Sequence, residues 1–422
     1  MTYRGRVIDG ELATLVQAVP AVSLVGPKAI GKTESARRLA ASVLDLADVD
    51  ERVVVQASRK EALARAKPPV LIDEWQHDPD IWEAMRRAVD ADPSPGRFLL
   101  TGSANPRDVR VHSGAGRVVR LRMRPMSLAE RGSAEPTVSL AGLWKQRGEV
   151  GGTSSLVLAD YVTEILGSGL PAIRLGPERA RTPLLKGYVE SVLEHDVPEL
   201  GFVPKRPASL AQWLRAYAAA SSTTATYESI AGAVPDDQRA TRTTIGAYRD
   251  VLEHLWLLDP VPAFALSRNR LGTLGQMPKH QLADPALVGA LLDIGPDTLL
   301  DSSAGREFAG LRDGPLVGNL FESLATLCVR VYAQPLGLSV SHVRTARGER
   351  EIDLVVHAPD GRTLAIEVKL AATPDDRDVR HLHWLGERLG DDLVDKVVLT
   401  TGRQAYRRPD GVAVVPLALL GP

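Results

Sequence analysis

A single cysteine, Cys328, in 422 residues excludes an internal disulfide and a zinc site built from cysteines. It lies in an apolar helical run and reads as a small buried hydrophobe. An excess of one charge is also lacking. Lysine and arginine number 51 against 52 acidic residues, a formal net charge of -1, so no chain-wide field attracts nucleic acid or an anionic surface. No apolar run approaches membrane-spanning length, and Met1–Arg6 is not a signal peptide, so the expected compartment is the cytoplasm. Internal repeats and low-complexity tracts are missing too. What remains is an ordinary globular composition, 44% hydrophobic and 24% charged, in a chain long enough for roughly two to four domains. Charge is uneven locally: eight arginines fall between Arg97 and Arg131, where the only acids are Asp108 and Glu130.

The first third alternates strand and helix. Ala21–Val25 is a short apolar strand, a helix is predicted over Thr33–Val43, and Pro68–Glu74 and Arg97–Ser103 are further strands, with Arg117–Arg122 as a possible addition. Such alternation implies a parallel sheet covered by helices. Gly148–Ser155 reads as a linker, followed by helical periodicity over Leu156–Leu200. Helices over Ala208–Ala220, Tyr227–Val234 and Thr243–Leu257, with a strand-like end at Leu257–Phe264, suit a winged helix. The last block returns to α/β: a helix at Leu316–Tyr332, strands Glu351–Ala358 and Thr363–Leu370 around an Asp360-Gly361 turn, a helix at Asp375–Leu389 and a strand at Lys396–Thr401. The expected division is 1–135, 136–204, 205–290 and 291–422.

Gly26-Pro27-Lys28-Ala29-Ile30-Gly31-Lys32-Thr33 fits the phosphate-loop pattern without mismatch, after an apolar strand and at a helix start. The glycines let backbone N–H groups curl around phosphates, where the helix terminus adds positive potential. Lys32 is expected on the β- and γ-phosphates of ATP and Thr33 on Mg²⁺. Asp73 ends the strand VLIDE as a second Mg²⁺-side ligand, and Glu74 is placed to polarise the attacking water. The acid pair favours hydrolysis over transfer to another acceptor. Thr101, Ser103 or Asn105, at the end of LLTGSAN, can read the γ-phosphate or simply cap a turn.

With these motifs the chain resembles the AAA-type ATPases of bacteria and archaea that carry an uncharacterised C-terminal domain similar to PD-(D/E)xK restriction endonucleases. GRVVRLRMRPMSLAER matches the family's Gly-Arg and Pro-Leu-Ser-like segments. LADYVTEILGSGLPAI, YVESVLEHDVPELG and PKHQLADPAL match more loosely, and His195 stands where arginine is expected. The resemblance makes Arg117, of the Gly-Arg pair, a candidate for a γ-phosphate or intersubunit arginine.

At the C-terminal end Asp353 and Glu367-Val368-Lys369 lie on two strands of one hairpin, with Glu322 on the preceding helix. Glu367 and Lys369 share a strand face by alternation. The arrangement resembles the nuclease core, in which Glu322, Asp353 and Glu367 would hold a divalent metal and Lys369 would assist. An amphipathic hairpin with exposed Glu and Lys gives the same string. The expected protein is thus a multidomain α/β chain: a P-loop AAA-type parallel sheet, a helical and winged-helix middle, and a restriction-endonuclease-like α/β domain. Its cofactors are ATP and Mg²⁺, and its expected partner is DNA or RNA, with homo-oligomers possible. A different class fits the same features: an ATP-gated interaction switch whose C-terminal fold cuts nothing.

Overall fold

The strands of the first block pair in parallel, as the alternation requires. A computed structural model describes residues 3–102, 116–146, 148–266, 276–300, 316–345 and 348–422. The first sheet contains β1 (Ala21–Val25), β2 (Ser42–Asp45), β3 (Val70–Asp73), β4 (Phe98–Thr101) and β5 (Val118–Arg122), in the order β2-β3-β4-β1-β5. β1 lies inside the sheet between β4 and β5, and the chain leaves it for the far edge before returning, which puts a crevice at its carboxyl end. The parallel register aligns the carboxyl ends of β1, β3, β4 and β5 along one edge.

Two expectations change here. The helix after the phosphate loop spans only Lys32–Arg37, and Ser42–Asp45 pairs in parallel with β3 as an edge strand. The apolar Ser-Val-Leu run thus finds a strand partner rather than extending the helix. The expected strand Arg117–Arg122 forms as β5 but without Arg117, and its first residue, Val118, pairs with Ala21 at the amino end of β1.

The middle is helical, with helices Leu158–Leu166, Arg181–Ser191, Pro207–Ala219, Tyr227–Gly232, Arg242–His254 and Ala286–Leu292. The strand-like end predicted at Leu257–Phe264 makes isolated bridges, Leu258 to Leu282, Val261 to Lys279 and Ala263 to His342. It runs antiparallel to the segment after it, with Asp259 donating to the Gln281 carbonyl and Val261 and Lys279 exchanging hydrogen bonds, and its far end meets the C-terminal sheet at His342.

That second sheet holds β7 (Ser339–Arg344), β8 (Glu351–His357), β9 (Thr363–Lys369), β10 (Leu393–Thr400), β11 (Tyr406–Arg407) and β12 (Ala413–Pro416), ordered β11-β12-β10-β9-β8-β7. β8 and β9 form the predicted hairpin, with Gly361 at φ 98 in its turn. Helix Asp376–Leu389 covers one face and helix Leu316–Ala333 the other. By length and composition Leu316–Leu336 could cross a membrane, which the sequence reading missed, yet 78% of its apolar window is buried in the fold. The last strand, β13 (Leu420–Gly421), pairs in parallel with β6 (Val138–Ser139), and one hydrophobic core runs from Ile8 to Leu420.

Candidate functional site

The phosphate loop leaves the carboxyl end of β1 in a shape that only glycine permits at its first position. Gly26 has φ +147, and a Cβ there would lie 2.3 Å from the Met123 carbonyl oxygen. Gly31 turns left-handed at φ +91 just before the helix. Arg6, itself buried, braces the loop by donating to the Ile30 and Arg124 carbonyls at 2.8 and 2.7 Å while pairing with Glu130. This brace is legible only in three dimensions.

Within the loop the Lys32 ammonium donates to the Gly26 and Pro27 carbonyls at 2.9 and 2.7 Å. Burial lowers its pKa to about 8, against the pull of Glu74 and Asp73. Asp73 accepts from the Thr33 hydroxyl at 2.8 Å and from Thr101 on β4. Glu74 follows in a left-handed conformation, φ 49, which turns its backbone away from β3, and its carboxylate accepts from Gln76. A positive φ in a non-glycine residue is a costly conformation that proteins retain at working sites. Lys28 reaches across to Asp196 of the middle segment. Lys28, Lys32, Thr33, Glu74, Gln76 and Asp196 border a cavity of about 860 Å³, walled further by Tyr3, Pro171, Leu175 and Leu200. A buried ammonium, a hydroxyl and carboxylate in contact, and a glycine-shaped loop fit a nucleotide phosphate with Mg²⁺. Ser103 and Asn105 lie outside the described residues.

Arg117 is elsewhere. It precedes β5 at the amino edge of the sheet, about four strand residues or ~13 Å from the loop edge, and pairs with Asp90. It cannot serve this chain's own phosphates, because a parallel strand presents its carboxyl end, not its start, to the loop. Nor is the arginine-rich stretch an open basic patch where it is described. Arg97, Arg117, Arg122, Arg124 and Arg131 pair with Asp92, Asp90, Asp259, Asp259 and Glu164. Asp259 also pairs with Arg330 of helix Leu316–Ala333, so one carboxylate ties the first sheet to the last block.

The C-terminal residues converge, but around a cation the sequence reading gave no role. Lys279, from PKHQLADPAL, is fully buried. Its ammonium lies 2.8 Å from Glu322, 3.0 Å from Asp353 and 3.2 Å from Glu351. Asp353 also accepts from the Val368 amide at 2.9 Å. The β8–β9 register, continued by one step, sets Asp353 opposite Glu367, whose other carboxylate oxygen pairs with Lys369 at 2.9 Å. Burial works against the Asp353 charge, but Lys279 and Lys369 overcome it and hold the carboxyl at about 2. For Glu322, burial prevails over Lys279 and pushes the carboxyl up to about 8. Burial and the neighbouring Asp353 charge raise Glu367 well above its usual range, and its Oε1 has no hydrogen-bond partner.

The expected divalent-metal set of Glu322, Asp353 and Glu367 therefore does not fit as it stands. Lys279 already supplies positive charge to Glu322 and Asp353 from a position with no solvent access, and Lys369 supplies it to Glu367. Among the described residues no group of three or more His, Cys, Asp or Glu is arranged to hold a metal ion.

Comparison with known proteins agrees with the first site. Residues 19–131 match a family model described as an AAA domain. Residues 158–298 and 317–420 match two models described as domains of unknown function, DUF8612 and DUF4143. Two mycobacterial proteins described as uncharacterized, from Mycobacterium tuberculosis and Mycobacterium bovis, are each 31% identical over 140 residues. That stretch is 32% of this chain and 32% of each relative. A solved Walker-type ATPase of Pyrococcus abyssi aligns over 67% of this chain and 94% of its own, with 12% identity and a TM-score of 0.39. The stretch that matches the AAA-domain model, residues 19–131, is the one that carries the phosphate loop and the parallel sheet.

Proposed function

We propose that the chain binds ATP with Mg²⁺ and hydrolyses it, and that the nucleotide state governs a C-terminal domain that binds a partner without cutting it. The hydrolysis reading rests on one constellation: Lys32, Thr33, Asp73 and Glu74 at the carboxyl edge of β1 and β3. Lys32 would hold the β- and γ-phosphates, and Thr33 and Asp73 the ion. Glu74 would orient water at the γ-phosphate, with Gln76 fixing its carboxylate. Bound Mg²⁺ would supply charge neutralisation on the phosphates.

The non-cutting reading rests on Lys279. Its buried ammonium sits against Glu322 and Asp353, two of the three carboxylates expected to hold an ion, and brings the charge such an ion would bring. Loss of ATP binding in Lys32→Ala, with retained thermal stability, tests the first half. The second half is tested by incubating the wild-type chain and ATP with DNA and RNA in Mn²⁺: the reading expects no cleavage, and Asp353-dependent cleavage would restore the nuclease alternative.

A further inference from the structure

We infer that Lys28 and Asp196 form a latch through which nucleotide phosphates and one buried carboxylate compete for one ammonium. The inference rests on the ATP reading and adds how the phosphate loop signals to the middle segment.

Three observations carry it. Asp196 ends a π-helical turn, Val192–Asp196, inserted after helix Arg181–Ser191 and before Val197–Glu199. Such turns insert an extra residue into a helix and concentrate at functional sites. Asp196 is only 4% exposed, borders the same cavity as the phosphate loop, and pairs with Lys28 of that loop. The Lys28 side chain is 42% exposed and belongs to a residue with two reachable anionic partners once phosphates enter the cavity. Lys32, by contrast, is held inside the loop by the Gly26 and Pro27 carbonyls.

Phosphates that draw Lys28 toward them leave Asp196 as a buried carboxylate without its cation, facing further negative charge. Removing one member of a buried pair is strongly unfavourable, and like charges in a poorly hydrated cavity repel. The π turn must then shift, and helix Arg181–Ser191 with it. That helix packs on Ala286–Leu292, which continues from the buried segment carrying Lys279 and Asp284. Asp284 in turn accepts from Ser168 and Gly169 at 2.7 Å each. By linkage, whatever shifts the turn must alter nucleotide affinity by the same factor.

The test is equilibrium binding of a fluorescent ATP analogue with Mg²⁺ to the full chain, with hydrogen exchange followed over 181–200. Asp196→Asn, which removes the competing charge, should tighten binding about tenfold. Lys28→Met should weaken it, and the double variant should return toward wild type. ATP should alter exchange over 181–200 in the wild type and in neither single variant. Binding by Asp196→Asn no tighter than wild type, or an exchange response that persists in it, overturns the latch. Should either single variant lose its fold, the double variant, which leaves no charge unpaired, decides: an exchange response to ATP over 181–200 that survives in it overturns the proposal. No ATP binding by the wild-type chain would remove the nucleotide reading, and the latch with it.

Discussion

Lys279→Met is expected to cost the fold heavily. Methionine keeps much of the side-chain volume and removes the charge. It strands Glu322, Asp353 and Glu351, which lie 2.8, 3.0 and 3.2 Å from the ammonium. Removing one partner of a buried ion pair costs about 3–5 kcal/mol, against a total stability of roughly 5–15 kcal/mol for a domain. The variant should thus be near the limit of folding at neutral pH. Its deficit should shrink as pH falls, because the stranded carboxyls then bind protons in the folded state more readily than in the unfolded chain. Removal of the ammonium also opens a carboxylate cluster that a divalent ion can enter. Mn²⁺ should therefore raise the melting temperature of Lys279→Met and leave that of the wild type unchanged. Chemical denaturation across pH, with and without Mn²⁺, measures all three effects. A loss below about 1 kcal/mol would refute the structural role of Lys279.

Glu322 gives a second pH test. Its folded pKa of about 8 lies above its ordinary 4.5, so its contribution is full below pH 4.5 and is lost as pH rises through 8; Glu322→Gln should flatten that slope in denaturation titrations. Asp259→Ala should cost about 3–5 kcal/mol by stranding Arg122, Arg124 and Arg330. The Asp259 carboxyl is held far below its usual range, since these arginines overcome its burial, so its contribution is lost as pH falls, and acid melts should show it. Arg117→Ala removes a surface pair with Asp90, and calorimetry should find ATP affinity unchanged with a stability change of about 1 kcal/mol or less. Gly26→Ala should destabilise the first domain, because its Cβ would collide with the Met123 carbonyl, and limited proteolysis should report it.

The two sites differ in how legible they were. The phosphate loop is contiguous, and VLIDE supplies its partner on β3, next but one to β1, so local pattern sufficed. β8 and β9 were equally plain from alternation around Asp360-Gly361. Lys279 was invisible as a site residue because its partners lie 43 and 74 positions away, and a lone lysine carries no spacing signal. Asp196 was quoted as part of a motif, but its contact with Lys28 spans 168 positions. The edge strand Ser42–Asp45 was hidden because its pairing with β3 is tertiary. Arg117 is a different lesson. It had been read at the start of a strand, and in a parallel sheet that alone puts it at the edge away from the loop. The local excess of arginine is likewise met, where the stretch is described, by acids from elsewhere in the chain, Asp90, Asp259 and Glu164.

The central claim is that this chain turns over ATP at the β1–β3 edge, and phosphate release by Glu74→Gln tests it most directly. Glu74 holds a left-handed backbone beside Asp73 and is anchored by Gln76. The substitution keeps the shape and removes the charge that orients water. With Mg²⁺ and saturating ATP, the wild type should release phosphate steadily. Glu74→Gln should bind ATP with similar affinity and release phosphate at least about tenfold more slowly. Equal release by the two proteins, at equal occupancy, would contradict the account.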